Sequence, residues 1–222
     1  MLAVRPPEYW PRPAYFALMD RADRFILADT LQYSRQSYQN RALLRTPDGS
    51  QWISIPLRGR QHGRPICEVE IHATPNWIRK HWRALIYNYR ATPFFEYYAD
   101  RLQPVFDTDW VGLADLTSRT VELIRALLGI STPIIRASDL DGAPDSVPDI
   151  MGAVGDTHLL VPRIALPPDR LLASSVLDFE ETERHQHFDG FEPDTSALDI
   201  LFNYGPEALG MIRRQRVVTD AR

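Results

Sequence analysis

The opening of the chain constrains its fold more than any other stretch. Leu2-Ala-Val4 is a short apolar run stopped by Pro6 and Pro7. From Ala14 to Arg24, residues Ala14, Phe16, Ala17, Leu18 and Ala22 recur at approximately helical spacing. Phe25-Ile-Leu-Ala28 is an unbroken apolar run that reads as a buried strand, with Asp29 at its end. Strand, helix and strand in that order predict an α/β fold: a single domain over residues 1–222 with a central sheet flanked by helices. A Rossmann-like arrangement fits this opening. In open sheets of that kind ligands gather where strands end and loops begin, which draws attention to Asp29.

Downstream, residues 41–46 and 51–57 predict an early β-hairpin joined through Pro47-Asp48-Gly49, a strong turn signal. Residues 66–71 read as a strand, with Cys67, Val69 and Ile71 on one face and Glu68 and Glu70 on the other. Thr74-Pro75 predicts a helix start, with Thr74 as the cap and Pro75 at the first helical position. That helix should run to about Arg90 and stop before Pro93, on a core stripe of Ile78, Trp82, Leu85, Ile86 and Tyr89. Residues 94–103 and 113–128 predict two more helices, the second ended by Gly129, and Ile134-Ile135 predicts a strand. Residues 139–170 carry many Pro, Gly and Asp and read as an irregular, loop-rich segment with a short strand at 158–161. Asp194 or Thr195 is expected to cap a helix carrying Leu198, Ile200, Leu201 and Phe202, which Gly205-Pro206 stops.

Composition narrows the function classes. Hydrophobic residues make up 44% of the chain, enough for a buried core. The net charge of −4 argues against a nucleic-acid partner held by nonspecific electrostatics. No run approaches the roughly 20 apolar residues that a membrane helix needs, so no membrane partner is expected. Cys67 is the single cysteine, so no intrachain disulfide forms, and the expected location is the cytoplasm. No glycine-rich phosphate loop and no serine-nucleophile elbow are present, and no cofactor is expected.

Polar residues with recognition chemistry concentrate between Asp29 and Arg41. Asp29, Gln32, Tyr33, Arg35, Tyr38, Asn40 and Arg41 fall within thirteen positions. Arg41 suits a phosphate or carboxylate, Asp29 a hydroxyl or amine, and Gln32 and Asn40 an amide or hydroxyl. The same cluster also fits a structural network tying a loop to the sheet. His81 is the best general base by residue type, with Trp77 one helical turn before it and Asn88 about two turns after. A surface or capping histidine is the alternative. Cys67 is a nucleophile candidate, but its alternation with Val69 and Ile71 fits a small core residue better. His185, His187 and Asp189 lack a second ligand motif, so no metal site is expected. Asp199 and Asn203 share one helix face, either near a site or capping neighbouring loops.

Taken in order, several short motifs resemble the WbqC-like protein family. These are Pro7-x-Tyr9-x-Pro11, Tyr15-Phe16, Ala22-Asp23, Asp29-x-x-Gln32, Asn40-Arg41 and Trp52-Ile-Ser-Ile-Pro56. They continue with Trp77 and His81, Tyr89 with Pro93-Phe94, and the run from Ser196 to Pro206. The chain departs from that pattern at Arg5-Pro6 and in the segment following Gly155. The resemblance implies a cytoplasmic biosynthetic protein that transfers an acyl or aminoacyl group to an amine of an amino sugar or natural-product intermediate. His81 and Asp29 would then be catalytic. Gln32, Tyr33, Asn40, Arg41, Tyr9, Trp77 and Asn88 would bind a small-molecule amine or a nucleotide sugar, with an acyl or aminoacyl carrier protein as a potential donor. A noncatalytic binding or scaffold protein of the same pathway, and a Cys-dependent hydrolase, stay open as alternatives.

Overall fold

The computed structural model describes residues 1–74, 76–163, 173–214 and 216–221. Its strands are β1 (Leu2–Arg5), β2 (Arg24–Leu27), β3 (Arg41–Thr46), β4 (Gly49–Ser54), β5 (Ile134–Arg136), β6 (His158–Pro162), β7 (Ala173–Glu180) and β8 (Arg216–Ala221). Its α-helices are α1 (Pro13–Arg21), α2 (Trp77–Tyr89), α3 (Phe95–Asp107), α4 (Leu113–Leu128), α5 (Val147–Val154), α6 (Ala197–Tyr204) and α7 (Ala208–Arg214).

Six strands form one sheet in the order β5-β2-β1-β6-β7-β8. The first five are parallel, and β8 adds an antiparallel edge to β7. Counted along the chain, the parallel strands stand 3-2-1-4-5, the order of the Rossmann fold. The chain begins at the middle of the sheet, winds outward through β2 to β5, and returns to the other side of β1 as β6.

Strand alternation splits the core in two. Ala3, Phe25, Leu27, Leu160 and Leu177 point into the larger cluster, shared with α1, α2, α3, α4, α6 and the hairpin β3–β4. Leu2, Ile26, Leu159, Val161 and Val176 point the other way, against Ile150 and Met151 of α5. Burial on both faces explains why these strands read as continuous apolar runs.

Long-range polar ties hold the periphery. Arg45 of β3 is 2% exposed. Its Nε donates to Gln186 Oε1 at 3.0 Å and its Nη1 to the Gly49 carbonyl at 2.8 Å. Arg184 pairs with Asp199 of α6 at 2.6 Å and with Glu181 at 2.8 Å, which ties the segment after β7 to that helix. Asp199 and Asn203 therefore serve an internal network, with Asn203 Nδ2 donating to the Asp199 carbonyl at 2.8 Å.

Several local expectations need correction. Residues 66–71 form no strand: Ile66–Glu68 is a 3-10 turn, followed only by isolated bridges at Glu70 and Ile71. Backbone bonds to the loop after β2 and to the start of α4 replace a ladder, from Ile66 N to Leu31 O, from Cys67 N to Asp29 O and from Leu113 N to Val69 O. Cys67 is consequently exposed while Val69 and Ile71 are buried. Helix α2 starts at Trp77 after Asn76 in a left-handed conformation, without a Thr74 cap, and Pro75 lies outside the described residues. Its buried face carries His81, Leu85, Asn88 and Tyr89, a rotation from the expected stripe, whose Ile78, Trp82 and Ile86 are only partly buried. Packing of Leu102, Val105 and Phe106 carries α3 through Pro104 to Asp107. Residues 139–170 are more regular than expected. They contain α5, whose Ser146 cap accepts from Asp149 N, and then β6, while 164–170 lie outside the described residues. Ser196, and neither Asp194 nor Thr195, caps α6.

Gly205 ends α6 at φ +54, where an added Cβ would collide with the Phe94 ring. Gly205→Ala is expected to destabilise the protein by at least about 2 kcal/mol in urea unfolding, from backbone strain and overpacking together. An unchanged unfolding midpoint would contradict that packing.

Candidate functional site

In a sheet of order 3-2-1-4-5 the connections leaving β1 and β6 diverge, and a crevice opens at the carboxyl ends of those two strands. Such a crevice is present, with a volume of about 400 Å³. Arg5 at the end of β1 and Pro162-Arg163 at the end of β6 line it, together with Glu8 and Arg12 from the loop after β1, Tyr15 from α1, and Asp178 to Glu181 from the end of β7. Five carboxylates (Glu8, Asp178, Glu180, Glu181, Asp194) face three guanidiniums (Arg5, Arg12, Arg163) around it.

The loop between β1 and α1 is anchored firmly. Thr120 of α4 donates its hydroxyl to the Glu8 carbonyl at 3.2 Å. Trp10 is fully buried, stacks on Phe106 at 5.5 Å and holds a positive φ of 43°. Tyr15 donates its hydroxyl to the Pro6 carbonyl at 3.1 Å. Glu8 is thereby fixed in the crevice wall with 5% exposure. Its Oε1 accepts from Arg5 Nη2 at 3.2 Å, while its buried Oε2 has no hydrogen-bond partner among the described residues. An unsatisfied buried carboxylate oxygen is costly, and a ligand donor is one way to satisfy it. Burial, and then the Glu8 charge, push the Tyr15 hydroxyl well above its ordinary range, so it stays neutral. Arg12 pairs with Asp194 at 2.8 Å and lies 3.8 Å over the Tyr38 ring.

The residues singled out in the sequence occupy three other environments. Asp29 stands at the end of β2, fully buried. Its carboxylate accepts from Arg136 Nε at 2.8 Å, Ser138 N at 2.9 Å and Ser138 Oγ at 2.7 Å, which ties β2 to the end of β5 and the turn after it. Tyr9, Trp77 and His81 form a second group. The Tyr9 hydroxyl lies 2.9 Å from His81 Nδ1, Trp77 meets the imidazole edge-on at 5.2 Å, and Ser54 supplies a backbone hydrogen bond to the ring. Asn88, on the same helix, donates to the Ala84 carbonyl at 2.9 Å, and its buried Oδ1 has no partner among the described residues. The third group is nearer the surface. Tyr33 donates to Asn40 Oδ1 at 3.0 Å, Gln32 is exposed in a bridge to Pro65, and Arg41 lies 4.1 Å over the Trp52 ring.

Burial lowers the His81 pKa to about 4, so the ring is neutral at pH 7. The Cys67 thiol is shifted upward, by burial first and then by Asp29 and Glu68. That shift opposes thiolate formation, which a Cys nucleophile requires. Among the described residues no three His, Cys, Asp or Glu side chains are grouped to hold a metal ion, and no helix is long and apolar enough to cross a membrane.

Glu8, Arg5 and Arg12 were not singled out as ligands in the sequence. The signal available was their position: three charges spaced through a proline-rich loop, directly after the first strand. Only the return of β6 beside β1 makes that loop a crevice wall.

Residues 6–211 match the WbqC-like protein family. The chain is also 32% identical over 230 aligned residues to the uncharacterized protein Rv1507c of Mycobacterium tuberculosis, covering 96% of this chain and 97% of that protein. No solved structure matches the chain.

The His81 environment has a pH consequence. A histidine near 6.5 when unfolded and about 4 when folded binds its proton first in the unfolded chain. Stability is therefore full above pH 6.5 and falls as the pH drops from there toward 4, by on the order of 3 kcal/mol from this group. His81→Gln should flatten that part of the profile in urea titrations at pH 7 and pH 4.5. Tyr9→Phe strips a buried ring nitrogen of its partner and should cost about 1–3 kcal/mol at pH 7.

Proposed function

Because the chain belongs to the WbqC-like protein family, we propose that it is a biosynthetic transferase. It moves an acyl or aminoacyl group onto the amine of a small polar metabolite held in the crevice between β1 and β6. The observation that carries this reading is Glu8: a carboxylate fixed in the crevice wall, with one oxygen paired to Arg5 and the other buried without a hydrogen-bond partner among the described residues. An amine is a donor that such an oxygen can take, and the excess of carboxylates around the crevice favours a cationic group.

In the reaction, the amine nitrogen attacks the carbonyl carbon of an acyl donor such as a thioester. The new C–N bond forms as the C–S bond breaks. Glu8 accepts the proton that the neutral amine loses on attack and passes it to the departing sulfur, which leaves as a thiol. Arg5 and Arg12 orient polar parts of the acceptor, and Tyr15, held neutral, serves as a hydrogen-bonding wall. Proton abstraction passes here from His81 to Glu8, because Glu8 lines the crevice while the imidazole lies outside it, engaged by Tyr9 and Ser54. Asp29, saturated by Arg136 and Ser138, positions strands and takes no part in the chemistry.

The test supplies purified protein with glucosamine as the amine and an acyl or aminoacyl thioester as donor, with amide formation followed by mass spectrometry. Glu8→Gln keeps the side chain's shape and removes its charge. It is expected to lower the rate by about 100-fold or more while leaving the unfolding midpoint close to wild type. An undiminished rate in that variant would remove Glu8 from the mechanism.

A further inference from the structure

A second cleft, of about 680 Å³, lies between the Tyr33–Asn40 segment and residues 57–62. It shares no lining residue with the crevice at β1 and β6. Its charge is opposite in character. Arg35, Arg60 and His62 line it, and no carboxylate does, in a chain whose net charge is −4.

The arginines nearby divide into two kinds. Arg58 is paired with Glu70 at 2.7 Å and Arg64 with Glu68 at 3.5 Å. Arg41 is held over Trp52 and bonds to the Gln36 carbonyl. Arg35 and Arg60 are exposed, and no carboxylate among the described residues is within ion-pair distance of either. The Arg35 charge nevertheless reaches the cleft floor: Tyr33, whose hydroxyl burial pushes upward, is pulled back by Arg35 and Arg41. The floor itself is fixed. Tyr33 donates to Asn40, and Asn40 Nδ2 donates to the Ile55 carbonyl at 3.2 Å. Leu57 adds an apolar wall.

We propose that this cleft binds a phosphorylated small molecule, with its phosphate on Arg35 and Arg60 and its organic part along Tyr33 and Leu57. Guanidinium forks match phosphate oxygens in geometry, and two unpaired guanidiniums in one concave surface concentrate anions there. The volume suits a ligand of nucleotide size. The assignment stands apart from the transferase reading, since no group of the other crevice takes part in it.

Titration calorimetry with adenosine diphosphate and with inorganic pyrophosphate at low ionic strength tests it. Adenosine diphosphate is expected to bind saturably, and pyrophosphate more weakly because it lacks an organic part. The double variant Arg35→Ala/Arg60→Ala should weaken both by about tenfold or more. Both side chains are exposed, so the variant's circular dichroism and unfolding midpoint should match wild type. Glu8→Gln should bind adenosine diphosphate as wild type does, which separates this site from the transferase crevice. Absence of saturable binding to the wild type, undiminished affinity in the double variant, or an equal loss in Glu8→Gln would each overturn the assignment. Pyrophosphate binding as tightly as the nucleotide would remove the role given to Tyr33 and Leu57. Tighter binding of a single-stranded oligonucleotide than of adenosine diphosphate would overturn the small-molecule assignment.

Discussion

The two-sided burial of β1 is the constraint from which the rest of this molecule follows. A four-residue strand with neighbours on both edges and packing on both faces has no solvent-facing side. Parallel strands need crossovers that cover the sheet, and the chain can place them only by building outward from the centre in two directions. The crevice is the by-product of that reversal. Its walls are the loop after β1 and the end of β6, and the Thr120 and Trp10 anchors turn the loop from a connector into a rigid support.

Polar groups in this protein do two different jobs. Asp29, Arg45, Arg184 and Asp199 are buried and ion-paired or hydrogen-bonded to other segments, so they fix how distant segments meet. Breaking any such pair would strand a charge in a dry interior. Glu8 lines the crevice with one oxygen unpartnered among the described residues, and Arg35 and Arg60 line a cleft with no carboxylate of the described residues paired to them.

The sequence made the sheet legible where apolar runs were unbroken, as in Phe25 to Ala28, since burial on both faces leaves no other pattern. The strand–helix–strand opening therefore pointed correctly to a Rossmann-like sheet. Residues 66–71 misled because alternation also arises in a segment anchored by backbone bonds to loops, with no partner strand. Asp29 was correctly placed at a strand end, yet its partners lie 107 and 109 positions further on, beyond what local pattern can reach. The closeness of Tyr9 to His81, 72 positions apart, has the same origin. Glu8 lay inside a recognisable motif but at one of its unspecified positions. Its importance comes from β6, and the hydrogen-bond vacancy on its Oε2 exists only in three dimensions.

The strand β5 ends one side of the sheet after only three residues, directly behind Pro133 and closed by the charged Arg136. Its three residues pair in register with Phe25, Ile26 and Leu27, and an outer edge of that length offers little ladder for an outside chain to extend. A border so brief gives neighbouring molecules a poor template for intermolecular strand addition at that side. The protein can thus be concentrated without that flank seeding fibrillar stacking.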